Sequence, residues 1–256
     1  MKKSLLNKNL NKMKVIILAG GFGSRLSEYT KLIPKPMVKV NNYPLLIHIM
    51  KIYIKYNVKD FIIAAGYKSN VIKKYFKNFR KNEKNFICNI GGKKCNVIIV
   101  DTGLKSLTGG RIKRAAKHLN KNDDDFMFTY GDGVSDINIS KLLKFHKKTK
   151  KIITVTAVRP PARFGEIKLK KNLVCSFKEK PQVTDGWING GFFVAKKSFL
   201  KLIRGDKEIL EKFPLEKSAQ NKQLSAYKHK GFWKCVDTKR DKDELNKILK
   251  KKLVKI

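Results

Sequence analysis

The chain has 256 residues, room for one large α/β domain or two small ones, and 42% of them are apolar, so a sizeable core can form. No apolar run reaches the roughly 18 to 20 residues that cross a bilayer. The basic, Asn-rich stretch Met1 to Lys14 lacks an apolar segment followed by a small-residue cleavage site. The formal net charge of +39 is spread end to end as Lys, alongside abundant Asn and Ile, which argues for compositional drift rather than a concentrated nucleic-acid face with interleaved aromatics.

In chain order, residues 1–12 read as a disordered tail. Met13 to Ala19 is an apolar run closed by glycines, a buried parallel strand. Pro44 to Tyr56 carries Leu45, Ile49, Ile52 and Tyr56 at helical spacing. Phe61 to Ala65 is a second buried strand, stopped by Gly66, and Asn70 to Phe79 a helix. Asn96 to Val100 is a strand, Gly110 to Leu119 a helix, Phe126 to Tyr130 a strand and Ser140 to His146 a helix. Strands alternating with helices predict an α/β fold, a doubly wound, mostly parallel sheet flanked by helices. From Ile152 the texture becomes β-rich: Ile152 to Val158, Ile167 to Leu169, Leu173 to Phe177 and Gly191 to Val194 read as short strands. Ser198 to Leu202 and Glu208 to Phe213 read as short helices, and Asp241 to Leu249 as a Lys-rich one. The expectation is one domain over 13–256: a nucleotide-binding half over about 13–150, a smaller substrate half over about 151–240, and a C-terminal helix over 241–256.

Cys88, Cys95, Cys175 and Cys235 are scattered, so a disulfide framework is not expected. Cys88 and Cys95 have no nearby His and lack the tighter pairing of a zinc site. Cytoplasmic placement is the default.

Four motifs carry chemistry. The first is Leu18-Ala19-Gly20-Gly21-Phe22-Gly23-Ser24-Arg25-Leu26, directly after the first strand. Glycines let the backbone approach a phosphate, and successive N–H groups form an anion nest. The dinucleotide fingerprint needs a third Gly where Leu26 stands, and the Walker pattern is absent, so neither of those families fits. A tight turn without a ligand also fits this segment alone. Ten residues on, Lys35 sits between Pro34 and Pro36, whose restricted backbones are expected to hold it extended. The second motif is Phe128-Thr129-Tyr130-Gly131-Asp132-Gly133, a carboxylate expected at the carboxyl end of a parallel strand, where ligands bind. Its candidate partner is Asp237, in Gly231 to Arg240; a turn aspartate and a helix cap are the bland alternatives. The third is Val100-Asp101-Thr102-Gly103 with Leu107-Thr108-Gly109-Gly110-Arg111-Ile112-Lys113-Arg114, which also fits an ordinary helix start with a solvated basic face. The fourth comprises Arg163-Phe164-Gly165, Phe177-Lys178-Glu179-Lys180-Pro181 and Asn189-Gly190-Gly191. Carboxylates and amides there suit hydroxyls, and a Lys suits a phosphate. Arg is scarce and falls mostly inside these motifs (Arg25, Arg111, Arg114, Arg163, Arg240), as expected where a planar fork is needed.

Together, G-G-x-G-S-R-L followed by P-K-P-M resembles the signature of the sugar-1-phosphate nucleotidyltransferases. V-D-T-G followed by T-G-G-R resembles the cytidylyltransferase branch of that family rather than the thymidylyl or uridylyl ones. The resemblance runs over roughly Met13 to Leu245. It implies that Leu18, Ala19, Gly20, Gly21, Gly23 and Ser24 cradle the nucleotide and that Arg25 grips its β- and γ-phosphates. Lys35 would stabilise charge at the α-phosphate, and Thr108, Gly109, Arg111 and Gly131 would complete the nucleotide site. Gly165, Glu179, Lys180, Asn189 and Gly190 would bind the sugar phosphate, with Lys180 also catalytic, and Asp132 and Asp237 would hold Mg²⁺. CTP and glucose 1-phosphate are the implied substrates; dTTP or UTP use, a non-catalytic regulatory subunit, and a basic nucleic-acid binder are the alternatives. A homo-oligomer is expected, with neither nucleic acid nor membrane as partner. The stretch Lys81 to Lys94 departs from the family pattern.

Overall fold

A computed structural model describes residues 10–82, 85–120, 122–160, 166–178 and 186–251. Its first half holds β1 (Lys14–Ala19), β2 (Lys39–Val40), β3 (Tyr43–Pro44), α1 (Leu45–Ile54), β4 (Asp60–Ala65), α2 (Ser69–Lys77), β5 (Arg80–Asn82), β6 (Asn85–Ile90), β7 (Lys93–Asp101), α3 (Thr108–Ala115), β8 (Asp125–Tyr130), β9 (Gly133–Ser135) and α4 (Ile139–Thr149). The second half holds β10 (Ile153–Val158), β11 (Glu166–Lys170), β12 (Leu173–Lys178), β13 (Ile188–Lys196), α5 (Phe213–Gln220), β14 (Leu224–His229), β15 (Trp233–Cys235) and α6 (Lys239–Lys250).

Nine strands form one sheet in the order β14-β10-β13-β8-β1-β4-β7-β6-β5, so the sheet runs through both halves of the chain. β8, β1, β4 and β7 are mutually parallel neighbours. β13 and β6 oppose their neighbours; every other strand in the sheet points one way. β1 and β4 are apolar on both faces because both are covered. Val15, Ile17, Phe61 and Ile63 enter one core cluster with α1, while Ile16, Leu18, Ile62 and Ala64 enter another with Ile112 and Ala115 of α3. Separate two-stranded ladders pair β11 with β12 and β15 with β9. Among the described residues, no helix is long and apolar enough to cross a membrane.

The helices obey local rules. α2 buries Ile72 and Phe76, four residues apart on one face. Asn138 caps α4 by accepting the N–H of Lys141. Thr238 and Asp241 close a capping box on α6.

Several expectations need correction. Leu10 is fully buried in a helical turn, so residues 10–12 belong to the folded body rather than to the tail expected over 1–12. The helix expected over Glu208 to Phe213 is irregular; the helix starts at Phe213, with Pro214 in its first turn, where a missing N–H costs nothing. Lys35 does not extend the chain: Pro34 is extended, but Lys35 opens a one-turn 3₁₀ helix over Lys35–Met37. Asn189 and Gly190, ahead of the strand expected from Gly191, already lie in β13. The divergent stretch after Lys81 contributes β6 and β7, joined through Gly91 and Gly92 at φ 59° and 76°. This antiparallel hairpin extends the sheet at its β5 edge.

Candidate active site

Four neighbouring parallel strands end together: β1 at Ala19, β4 at Ala65, β8 at Tyr130 and β7 at Asp101. The chain segments leaving β1, β7 and β8 surround a cavity of about 590 Å³, at the strand ends where α/β sheets bind ligands. Leu18, Ala19, Gly20, Gly21, Gly23, Ser24 and Arg25 line one side; Lys35, Gly131 and Asp132 lie beside them, and Thr108 and Arg111 enter from α3. Gly23 takes a left-handed φ of 66°, and its carbonyl accepts from Leu26 N–H at 2.9 Å and Thr30 Oγ1–H at 3.1 Å, which folds the loop back on itself. Gly131 is required by contact: a Cβ there would strike the Leu18 carbonyl and lie 2.8 Å from Pro36.

At one edge of the cavity four charges interlock. The Lys35 ammonium donates to Asp132 Oδ2 at 2.8 Å and to Asp237 Oδ1 at 2.6 Å. Arg25 Nη1 donates to Asp237 Oδ2 at 2.8 Å. β15 delivers Asp237 because it pairs with β9, the strand that follows Asp132, and Val236 N–H bonds to the Asp132 carbonyl at 3.0 Å. Two segments 105 residues apart thus bring their carboxylates onto one ammonium. Lys35 is only 8% exposed. Burial pulls its pKa down, but the Asp132 charge and the hydrogen bonds to both carboxylates outweigh that, and the pKa stands above its ordinary 10.5.

Asp132, Cys235 and Asp237 each offer a donor atom, all within 4.8 Å of one another. Burial raises the Cys235 thiol pKa, and sulfur is a soft donor that suits a hard cation poorly. The remaining donors are two carboxylates, which already attract two cationic side chains. That oxygen set fits a hard divalent cation that also takes phosphate oxygens and water.

Arg111 is 5% exposed and faces the fold as well as the cavity. Its Nη1 donates to Thr102 Oγ1 at 2.7 Å and the Gly103 carbonyl at 2.8 Å, and its Nη2 to the Leu104 carbonyl at 3.3 Å. A Cβ on either Gly20 or Gly66 would collide with its guanidinium, so those glycines leave room for it. Gly109 does not line the cavity; its N–H bonds to the Glu208 carbonyl at 2.9 Å, where a Cβ would also collide. Asn189 lies across Tyr130, donating from Nδ2 to its hydroxyl at 3.2 Å. Gly190 is wedged against Val158 and accepts Trp233 Nε1–H at 2.8 Å. Gly165, Glu179 and Lys180 lie outside the described residues.

Tyr130, Glu211, Gly66 and Thr102 were assigned no role at the site from sequence, although Tyr130 and Thr102 lie within the motifs. Gly66, at the end of a buried strand, carried a readable signal. Glu211 carried none, since the segment before α5 was assigned to a helix.

The fold and the crevice define a nucleotide-handling α/β protein whose charged cluster is arranged for phosphate. The chain matches the nucleotidyl transferase family over residues 14–251 and belongs to it. It is 45% identical over 249 residues to the glucose-1-phosphate cytidylyltransferase of Salmonella typhimurium, covering 93% of this chain and 96% of that one. It is 36% identical over 246 residues to a probable glucose-1-phosphate cytidylyltransferase of Bacillus subtilis, covering 92% and 96%. Its fold matches the crystal structure of HddC from Yersinia pseudotuberculosis with TM-score 0.68 at 23% identity, covering 93% and 99%.

Proposed function

We propose that the chain transfers a cytidylyl group from CTP to α-D-glucose 1-phosphate, giving CDP-glucose and pyrophosphate. The observation that carries this reading is the convergence of Lys35, Arg25, Asp132 and Asp237 beside the glycine loop. The choice of base and sugar is supported by the Salmonella and Bacillus relatives.

A phosphate oxygen of the sugar phosphate attacks the α-phosphorus, the bond to the bridging oxygen breaks, and pyrophosphate leaves. The nucleophile is already ionised, so no protein base is required. The protein's work is positioning and charge stabilisation. The glycine loop holds the triphosphate close to the backbone; Arg25, whose side chain is 71% exposed, reaches the outer phosphates; buried Lys35 faces the α-phosphate. Mg²⁺ is the cation assigned to Asp132 and Asp237, and when bound it supplies neutralisation of the phosphate charge. Glu179, Lys180, Gly165, Asn189 and Gly190 are assigned to the sugar phosphate. Exposed Leu173 and Phe177 on β12 support a homo-oligomer, which light scattering tests; a cytoplasmic setting for the reaction is part of the same proposal.

Pyrophosphate release with Mg²⁺ and α-D-glucose 1-phosphate, offering CTP, UTP, dTTP, ATP and GTP separately, tests the reaction. A strong CTP preference is expected. Preference for UTP or dTTP would overturn the base assignment, and no release with any of the five would overturn the reaction.

A further inference from the structure

Glu211 sits in the irregular segment just before α5, and both its oxygens are occupied. Oε2 accepts the Thr108 hydroxyl at 2.8 Å, and Oε1 accepts the Tyr130 hydroxyl. The oxygens of those hydroxyls accept in turn: Thr108 Oγ1 from Leu210 N–H at 2.9 Å, and Tyr130 from Asn189 Nδ2 at 3.2 Å. Asn189 Oδ1 accepts Gly191 N–H at 2.8 Å. Every donor and acceptor in this chain has one consistent direction, set by the carboxylate, which can only accept.

The elements joined matter more than the count. Thr108 opens α3 and lines the cavity beneath the glycine loop. Tyr130 ends β8, two residues before Asp132. Asn189 is on β13, on the face assigned to the acceptor. Backbone bonds from Leu107 N–H to Asp206 O at 2.8 Å and from Gly109 N–H to Glu208 O at 2.9 Å fasten the same segment to the start of α3.

We propose that Glu211 is a positioning residue that couples the nucleotide pocket to the sugar-phosphate pocket, by fixing the Tyr130 hydroxyl and through it the Asn189 amide. With Oδ1 committed to Gly191 and one N–H committed to Tyr130, Asn189 presents its second N–H in one direction, ready to meet an oxygen of the acceptor. This rests on the cytidylyl transfer proposed above.

Glu211→Gln tests it. The amide turns one acceptor oxygen into a donor, so one of the two hydroxyls must reverse or lose its partner. Tyr130→Phe cuts the same arm from the other end and carries the test where E211Q fails to fold. Initial rates on the full chain with Mg²⁺, varying CTP and glucose 1-phosphate in turn, are read beside the melting temperature. A lost hydrogen bond predicts a rise of about tenfold in KM for glucose 1-phosphate in each variant. The KM for CTP should change less than about twofold in Tyr130→Phe, which leaves the bond between Glu211 and Thr108 intact. The double variant should be no worse than the worse single one, because both changes break one arm. Wild-type kinetics in both variants, equal losses toward both substrates in Tyr130→Phe, or additive losses would each overturn the coupling. An inactive wild-type protein would overturn the reaction itself, and the coupling with it; an active wild type with unaffected variants would overturn the coupling alone.

Discussion

Lys35 is held by carboxylates from two distant segments, so its role can be separated from folding by the charge it balances. Lys35→Ala removes the point charge proposed for the reacting phosphate, and turnover should fall by about 10²–10³-fold, the scale of losing one preorganised donor. It also leaves Asp132 and Asp237 facing one another without the ammonium. The variant should therefore melt lower than wild type in chelator and regain more stability than wild type when Mg²⁺ is added. Asp132→Asn should lose comparable turnover and lose the Mg²⁺-induced rise in melting temperature. Retention of wild-type turnover in either variant would remove that residue from the mechanism. At this scale the sequence was informative where a residue type and its neighbours jointly restrict chemistry. Glycines and Arg25, Pro-flanked Lys35 and strand-end Asp132 could be read from the chain because each is an unusual choice locally. That Asp237 meets Lys35 at 2.6 Å depends on β15 pairing with β9, which no local pattern announces. Arginine scarcity gave a mixed signal. Arg25 and Arg111 line the cavity, but Arg204, outside every motif, also forks onto its partner Glu208, at 2.7 and 3.2 Å.

Among the elements, the junction of β1, β4 and α3 depends on a side chain passing under two turns. Gly66→Ala would place a methyl 2.9 Å from the Gly20 carbonyl and inside the Arg111 guanidinium. The guanidinium can shift, but the backbone carbonyl cannot without moving the glycine loop. An overpacking cost of about 1–3 kcal/mol is expected, a drop of several degrees in melting temperature. Gly21→Ala is the control: nothing lies within 4 Å of its added methyl, and its φ is not left-handed, so its melting temperature should match wild type. A normal melt for G66A would mean that the Arg111 packing is looser than its contacts indicate. α1 supplies a second test through His48, whose Nε2 lies 2.8 Å from the Val40 carbonyl. Burial lowers its pKa and Lys51 lowers it further, against opposing backbone bonds to Val40 and Tyr43, leaving it below the ordinary 6.5. The folded protein therefore binds that proton less readily than the unfolded chain. The contribution is full above pH 6.5 and is lost as pH falls below 6.5 toward the folded value. Between pH 7.5 and 5.5, above the range where carboxylates titrate, wild type should lose more melting temperature than His48→Gln. Identical slopes would exclude His48 as the cause. β1, β4 and β8 were legible because strands covered on both faces are continuously apolar. β14 and β15 were not, because they are half-exposed and interrupted by Lys, and that hides any alternation.

For the molecule as a whole, the formal charge of +39 arises from 59 basic against 20 acidic residues, and that composition alone fits an anion-binding enzyme as well as a nucleic-acid binder. The fold separates these cases by where the acids fall. Two of the scarce carboxylates converge at the crevice and bind cationic groups there, an arrangement that a face made for phosphodiester backbones would avoid. The surrounding lysines then act at a distance, raising the local concentration of anionic substrates. Such an effect is screened: the Debye length shrinks from roughly 10 Å at 0.1 M salt to roughly 3 Å at 1 M. Contacts inside the crevice are screened far less, because Lys35 is buried between its partners. Raising NaCl from 0.1 to 1 M should lower kcat/KM for CTP by about tenfold, at the low end of electrostatic steering. The loss should appear in KM, with kcat held within about twofold. A flat kcat/KM would mean that the surface lysines are merely solvated and that capture is left to the crevice itself. A collapse of kcat with KM unchanged would place the salt-sensitive charges at the reacting phosphates, and would assign to Arg25, the exposed member of the cluster, a larger share of the chemistry than of substrate capture.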